Sequence, residues 1–357
     1  MQPLDRLHIE VTNVCNFSCE FCPDGMMQRR RGHMDPTLLE KILDQVANQK
    51  ITRLITFHLM GEPLLYPHIF SAFQMAIERR IPVHLTTNGS TFALKPDHSQ
   101  RLIESGIAKV TVSLQTPDPK TYHIRGAPPR LTPDLYFDGI RNYLQAHLCS
   151  DSPTRVHLKF LDTSPHPFLV PHKQLSILDE EGTFQQELQR WAESIFREIP
   201  GAPSSETIQR QIQAHRLGHW QVISLDPRFA LETFPLDSWG NSTLDQGVKA
   251  HFGYCNGASK QAGILYDGTV VPCCKDYEGA IPLGNVNHTP LHQILAAEPA
   301  CRLRRGFDRF QVENPVCQVC MGADTQQKAT LRQIGSILYF KLYRPWMQTW
   351  VKGWGDV

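Results

Sequence analysis

Five short apolar runs divide the first half of the chain, at residues 7–11, 54–59, 83–87, 110–114 and 156–161, and helix-patterned stretches at 36–48, 69–79, 100–105 and 133–147 fill the gaps between them. Strand and helix alternating at this spacing demand a parallel sheet with helices outside it. Such sheets gather their chemistry at the carboxyl ends of the strands. A chain of 357 residues has room for one large domain or two and for a substantial core.

Directly after the first apolar run come Cys15, Cys19 and Cys22, in the stretch Val11-Thr-Asn-Val-Cys15-Asn-Phe-Ser-Cys19-Glu-Phe21-Cys22-Pro23. A cubane iron–sulfur cluster normally takes four thiolates. A CxxxCxxC loop offers three and leaves one iron open to a substrate or cofactor. Structural zinc is the other reading. It wants four ligands, and the nearest candidate, His33, stands eleven residues past Cys22. On residue types alone both metals remain open.

The loop, with Phe21 directly before its last cysteine, resembles the signature of the radical S-adenosylmethionine (SAM) enzymes. That resemblance implies a [4Fe-4S] cluster on Cys15, Cys19 and Cys22 whose open iron chelates the amino and carboxylate groups of SAM. One electron then splits the sulfonium, and the 5′-deoxyadenosyl radical takes a hydrogen atom from substrate. It also implies a fold, α/β, with a partial (β/α)6 TIM-type barrel. Met60-Gly61-Glu62-Pro63 is similar to the family's GGEP motif, whose backbone meets the SAM amino group; Gly61 allows close approach and Pro63 stiffens the turn. Thr86-Thr87-Asn88-Gly89 is also typical of the family. By the same resemblance Ser113 hydrogen-bonds the methionyl or ribose part of SAM and Arg125 meets its carboxylate, while Gln115 stands where many relatives carry Asp. The run Arg29, Arg30, Arg31 reads as solvated surface or as a face toward a phosphorylated or acidic substrate.

A second set, Cys255, Cys273, Cys317 and Cys320, supplies four thiolates, enough for a cubane or for tetrahedral zinc. Cys-x12-Gly-x4-Cys with Tyr266-Asp267-Gly268 resembles the start of the SPASM and twitch domains that follow radical SAM barrels. With no cysteine beyond Cys320, the pattern implies the shortened form with one auxiliary [4Fe-4S] cluster. For Cys274 three readings stay open, a hydrogen-atom donor to a substrate radical, an alternative cluster ligand or an inert thiol, and Asp276 is a candidate base. Cys149 and Cys301 read as small buried hydrophobes.

The expected organisation is a barrel over residues 1–245, less regular at about 162–240 with a sixth strand at 222–225, then a small Cys-rich SPASM/twitch-like domain at 246–325 and an aromatic, basic tail helix at 326–357. The tail is expected to pack on the protein body, with a membrane-surface role as the alternative. Lys plus Arg is 36 and Asp plus Glu is 35, so overall charge points to no nucleic acid. No secretory signal and no membrane-length apolar run is visible, so ten cysteines suggest metal ligation in a reducing cytoplasm. Expected partners are SAM, a small-molecule or peptide substrate, and an electron donor such as flavodoxin or ferredoxin. The leading expectation is an oxidoreductase performing a dehydrogenase-type oxidation of a hydroxylated small molecule. A peptide or protein maturase or epimerase is the alternative; with Leu7 already in the first strand there is no room for a leader-binding domain ahead of it. A non-catalytic iron–sulfur or zinc protein is the reading from another class.

Overall fold

A computed structural model describes residues 2–166, 169, 174–237, 239–240 and 247–347. Trp350, Lys352 and Trp354, singled out in the tail, lie outside the described residues. In chain order the first unit runs β1 (Arg6–Ile9), α1 (Pro36–Gln49), β2 (Ile55–Thr56), α2 (Ile69–Glu78), β3 (Val83–Thr87), α3 (Ser90–Leu94), α4 (Asp97–Glu104), β4 (Lys109–Gln115), α5 (Pro133–Cys149), β5 (Arg155–Asp162), α6 (Glu181–Phe196), α7 (Ser205–Gln213), β6 (Gln221–Asp226) and β7 (Phe229–Pro235). The local chemistry explains where these helices begin. Asp35 caps α1 by accepting from the amides of Thr37 and Leu38, and Thr132 caps α5; a proline opens each helix, where its missing N–H costs nothing.

Strands β1 to β5 and β7 lie parallel in the order β1-β2-β3-β4-β5-β7, with β6 antiparallel on the outer edge. The sixth parallel strand is therefore β7, and the run 222–225 belongs to the edge strand β6. Burial explains the difference. β7 is covered along almost its whole length, whereas β6 alternates covered and exposed residues, as an edge requires.

The barrel strands alternate strictly. On β4, Val110, Val112 and Leu114 join the apolar layer under the helices, while Lys109, Thr111 and Ser113 occupy the opposite face, toward the lumen. Leu39, Ile42, Leu43 and Val46 of α1 and Tyr136, Ile140 and Leu144 of α5 pack into that same apolar layer.

The second unit continues β8 (Gln261–Ile264), β9 (Thr269–Val271), β10 (Gly284–Asn285), α8 (Leu291–Ala296), α9 (Glu298–Asp308), α10 (Pro315–Met321), α11 (Gln326–Leu338) and, after a π-helical turn at Tyr339–Tyr343, α12 (Arg344–Met347). It is not a detached lobe. β8 pairs in parallel with β1 from Arg6↔Gln261 to Ile9↔Ile264, so one ten-stranded sheet runs β10-β9-β8-β1 and on through the barrel. The tail meets the body with one face only. Leu331, Ile334, Leu338 and Leu342 stay exposed.

Candidate active site

The loop carrying Cys15, Cys19 and Cys22 leaves β1 at the carboxyl end of the sheet and is held from three sides. On the first side, the Asn13 side chain accepts from the Gly32 amide and donates to the Arg30 carbonyl, and the Met34 amide returns to the Val11 carbonyl. On the second, the Glu62 amide donates to the Val14 carbonyl at 2.9 Å, and Gly61, at φ +77°, presses its Cα face onto Thr12 and Asn13. A Cβ at Gly61 would stand 2.6 Å from the Thr12 carbonyl oxygen. On the third, the Ser18 amide donates to the Gly126 carbonyl and the Glu20 amide to the Ile124 carbonyl. Gly126, at φ +51°, lies equally tight against Ser18. Three thiols are thus fixed in one small volume with little solvent. Burial pushes the Cys15 thiol up to about 12, and Cys19 and Cys22 rise for the same reason. Bound iron reverses that cost, because a coordinating thiol is deprotonated outright.

The residues expected around SAM gather on this loop. Asn88 donates from Nδ2 to Asn16 Oδ1 at 3.1 Å and toward Cys15 Sγ at 3.8 Å. Arg125 is buried at 1% exposure between the rings of Phe17 and Phe21, with its Nε unpartnered and its nearest polar contact the Tyr136 hydroxyl at 3.5 Å. A guanidinium buried without a carboxylate calls for an anion in the same space, and its neighbours are the Cys19 and Cys15 thiols. This donor set fits a thiolate-bound iron–sulfur cluster with a carboxylate-bearing ligand beside it. Among the described residues no three His, Cys, Asp or Glu side chains stand close enough to share a single metal ion; a cubane, with an iron at each of four separate corners, does not ask this of its ligands.

Gln115 sits at a bulge where the β4–β5 register shifts, with φ +63° and a buried, unpartnered Oε1. A left-handed glutamine at a bulge is a strained residue of the kind found at binding sites. Ser113 precedes the bulge and points into the lumen, half-buried.

The Glu62 carboxylate is turned inward: Oε1 accepts from Thr87 Oγ1 at 2.7 Å and the Leu64 amide at 3.0 Å, and Oε2 from the Asn88 amide at 2.5 Å. Burial pushes Glu62 up to about 7 against those hydrogen bonds, and its role is to pin the β3 turn to the motif. Asp276 likewise spends both oxygens on the amides of Ala280 and Ile281, at 2.8 and 3.0 Å, which makes it a turn-holder rather than a free base. The arginine run is a clasp. Arg29 binds Glu10 through two bonds of 2.9 and 2.7 Å and the Tyr277 carbonyl at 2.6 Å, and Arg31 holds Asp24 and the Asn13 carbonyl, leaving Arg30 on the surface. Pro63 opens a 3-10 turn directly after Glu62, as its stiffening role requires. Cys149 is exposed at the end of α5, and Cys301 is half-buried with its thiol donating to the Ala296 carbonyl at 3.2 Å.

The second cysteine set also assembles. Cys255, Cys273, Cys317 and Cys320 are electrostatic neighbours, each thiol raised first of all by burial. Cys274 packs against a small apolar cluster of Met27, Leu59, Met60 and Tyr277 and remains an electrostatic neighbour of Cys255 and Cys273. Between the two cysteine sets runs the segment after β7. Trp239 Nε1 donates to the Phe21 carbonyl at 3.0 Å, Gly240 lies against Cys320, and Asp237 pairs with Lys275. Nothing in the sequence pattern of residues 236–240 marked this bridge.

The barrel lumen is polar at every level. Each strand sends a hydrogen-bonding side chain inward: Arg6 and His8 from β1, Thr56 from β2 with His58 just beyond it, His84 from β3, Lys109 and Thr111 from β4, His157 and Lys159 from β5, and Glu232 from β7. Thr56 Oγ1 meets His8 Nδ1 at 2.9 Å, and Thr111 Oγ1 meets His84 Nε2 at 2.8 Å. Glu232 takes His157 Nδ1 at 2.9 Å, Lys159 Nζ at 3.6 Å and Trp220 Nε1 at 3.2 Å. Burial alone would push Glu232 up, but Lys159, His157 and Lys109 outweigh it and hold the carboxyl down at about 2. His58 and Lys159 are mostly but not fully covered, and His58 Nδ1 is buried without a partner. Polar residues at every second strand position were the signal for this lumen, and it was readable beforehand.

Comparison with known proteins agrees with this geometry. The profile of the radical SAM superfamily matches residues 9–153, and that of the SPASM iron–sulfur cluster-binding domain matches residues 255–321. The S-adenosyl-L-methionine-dependent 2-deoxy-scyllo-inosamine dehydrogenase of Niallia circulans is 33% identical over 111 residues, 30% of this chain and 43% of that protein. The AdoMet-dependent heme synthase of Nitratidesulfovibrio vulgaris is 25% identical over 346 residues, 88% of this chain and 85% of that protein. The first curated relatives are matched over less than half of their own length. Streptococcus suis SuiB bound to S-adenosylmethionine shares the fold at 17% identity and a TM-score of 0.54, over 89% of this chain and 72% of that one. A radical SAM domain implies a [4Fe-4S] cluster and SAM, and a SPASM domain implies auxiliary iron–sulfur clusters. The chain thus carries a radical SAM domain at residues 9–153 and a SPASM iron–sulfur domain at residues 255–321, whose first strand is joined to the edge of the barrel sheet.

Proposed function

We propose that this enzyme oxidises a hydroxylated small molecule at carbon, with the barrel lumen as its substrate chamber. Cys15, Cys19 and Cys22 hold the SAM cluster. Cys255, Cys273, Cys317 and Cys320 hold a single auxiliary [4Fe-4S] cluster. Functionally the chain divides into a barrel at 1–245, a cluster domain at 246–325 and a tail at 326–357. When bound, the first cluster and SAM supply a 5′-deoxyadenosyl radical that takes a hydrogen atom from substrate, and the auxiliary cluster supplies an acceptor for the remaining electron.

The chain's own residues do the rest. The backbone at Gly61 approaches closely enough to meet the SAM amino group, and Pro63 stiffens that turn. Asn88, Ser113 and Gln115 line the space beside it, and Arg125 provides the cation for a carboxylate. Glu62 acts as a positioning residue for Asn88. The observation that carries the substrate class is the lumen, where His58, Ser113 and Lys159 lie partly covered among buried polar side chains. His58, held neutral by burial, accepts a hydrogen bond from a substrate hydroxyl at its unpartnered Nδ1. Net oxidation removes one hydrogen atom from carbon, one proton from the hydroxyl and one electron, leaving a ketone or aldehyde. Flavodoxin or ferredoxin in a reducing cytoplasm fits as the electron donor.

Anaerobic reconstitution followed by a reductive SAM-cleavage assay tests this reading. Cys15→Ala, Cys19→Ala and Cys22→Ala should each abolish formation of 5′-deoxyadenosine; cleavage surviving in all three would overturn the assignment of the SAM cluster to these cysteines. A second reading, epimerisation, is favoured by one contact. Cys274 packs beside Met60 of the SAM motif, where a thiol is placed to return a hydrogen atom. Turnover in deuterated water separates the two, since epimerisation installs a solvent deuteron and oxidation does not.

A further inference from the structure

Helix α11, its π-helical turn and α12 cover residues 326–347, beyond the match to either family. The inner face of this segment is fastened. Gln333 Oε1 accepts from the amides of His251 and Phe252 at 3.0 and 3.2 Å, Ser336 Oγ accepts from the Tyr254 amide at 3.0 Å, and Ile337 and Phe340 pack on Tyr254, Phe307 and Val312. The outer face is greasy. Leu331, Ile334, Leu338 and Leu342 recur every three or four residues and are 44–65% exposed, with Tyr339 and Tyr343 exposed beside them. A monomer in water gains nothing by holding four aliphatic side chains in one exposed row on an anchored helix.

Charge says what covers this row. Between Asp324 and Asp356 the chain has five cations, Lys328, Arg332, Lys341, Arg344 and Lys352, and no acidic residue. Lys328, Lys341 and Arg344 lean on Asp324, Asp308 and Asp5 at 2.9–3.7 Å in exposed or partly exposed pairs that contribute little; Arg332 also reaches the Gly322 and Cys320 carbonyls and Lys341 the Tyr254 ring, and the segment, with no acidic residue of its own, stays net positive. The sequence then places Trp346, Trp350 and Trp354 four residues apart. An aliphatic row with basic flanks describes a helix that lies in a lipid headgroup region, and the tryptophans that recur in the sequence are of the type enriched at such an interface. No helix among the described residues is long and apolar enough to cross a membrane, so the segment would lie along the surface.

We propose that residues 326–347 form a docking face for an anionic lipid surface, with Leu331, Ile334, Leu338 and Leu342 entering the acyl boundary and the cations meeting the headgroups. Attachment is reversible, because one short helix without a lipid anchor binds only moderately.

The test is co-sedimentation of the reconstituted holoenzyme with vesicles of pure phosphatidylcholine and with vesicles containing about 30% phosphatidylglycerol. Binding to the anionic vesicles alone is expected, weakening as salt rises. The exposed double variant Leu338→Gln/Leu342→Gln should bind about tenfold more weakly while SAM cleavage stays unchanged, which shows the variant is folded. No binding to either vesicle overturns the proposal, as does binding that the double variant leaves intact. A dimer in solution that the double variant splits assigns the face to a second copy, and vesicle binding that appears only after removal of residues 348–357 assigns it to that segment; either result overturns the proposal.

Discussion

Replacing Gly61 with alanine puts the architecture of the cysteine loop to a quantitative test. Gly61 holds φ +77°, where an L-residue costs about 1–2 kcal/mol. The new methyl would also stand 2.6 Å from the Thr12 carbonyl oxygen and 2.8 Å from both Asn13 Cα and Asn13 C. Ordinary contact begins near 3.4 Å, so the chains must part by more than half an ångström. All three atoms are backbone, and no rotamer change relieves them. Thr12 and Asn13 are themselves tied down by Thr12 Oγ1 to the Gly32 carbonyl and by the Asn13 side chain to Gly32 and Arg30. Conformational and contact costs together come to about 2–4 kcal/mol, and the displacement falls two to three residues before Cys15. Unfolding midpoints, iron content after anaerobic reconstitution and the spectral response of the reduced cluster to SAM should therefore all decline together. Gly25→Ala is the matched control, since nothing lies within 4 Å of its added methyl and its φ is ordinary, and it should be silent in every assay. If Gly61→Ala retains wild-type stability and full iron, close backbone packing is not what shapes this loop.

Further outcomes follow from the buried charges. Burial lowers Lys109 from 10.5 to about 8, opposed by Glu232 and helped by Arg6. Below pH 8 the native state carries the cost of a buried ammonium. Between pH 8 and 10.5 the unfolded chain binds more protons than the native one, so stability should rise with pH by up to about 3 kcal/mol. Denaturant unfolding at pH 7.5, 9 and 10.5 should reveal this rise in the wild type and not in Lys109→Met (conditions bracketing about pH 8–10). Arg29→Met strands Glu10 in a site with no exposure and should cost about 3–5 kcal/mol; adding Glu10→Gln should recover part of that loss in a double-mutant cycle. Glu232→Gln frees Lys159 and His157 from their shared carboxylate and should lower the melting temperature while leaving iron content intact. Arg125→Gln should weaken SAM binding more than it weakens the fold, measured as a raised SAM requirement for 5′-deoxyadenosine formation.

How much of this could be read beforehand depends on whether the determinant was local. The cysteine triplet, the Gly61–Pro63 turn and the Asn88-Gly89 turn are short-range chemistry, and the structure brings them together as their spacing implied. The strand–helix alternation carried the first five barrel strands for the same reason. The run 222–225 is a strand as expected, but residues 229–235 form another, and only pairing with β5 decides which of the two enters the barrel. The Arg29 clasp, which also holds Glu10, reaches Tyr277 across 248 positions, beyond the reach of any local pattern. Asp276 shows the opposite error. Its place beside Cys274 suggested chemistry, yet its carboxylate serves the amides four and five residues on, an ordinary turn device. In the tail, composition revealed an amphipathic helix, but which face stays uncovered depended on Gln333 and Ser336 finding the backbone at 251–254.

The pairing of β8 with β1 carries a cost in time. Arg6 meets Gln261, so the outer edge of the first strand waits for a partner that the ribosome delivers about 250 residues later, or some 10–50 s at ordinary elongation rates. Throughout synthesis of the barrel that edge presents unsatisfied amides and carbonyls to every other nascent chain nearby. Newborn copies are thus most prone to aggregate before their cysteine-rich end emerges, and slowing translation downstream of the barrel should lower soluble yield.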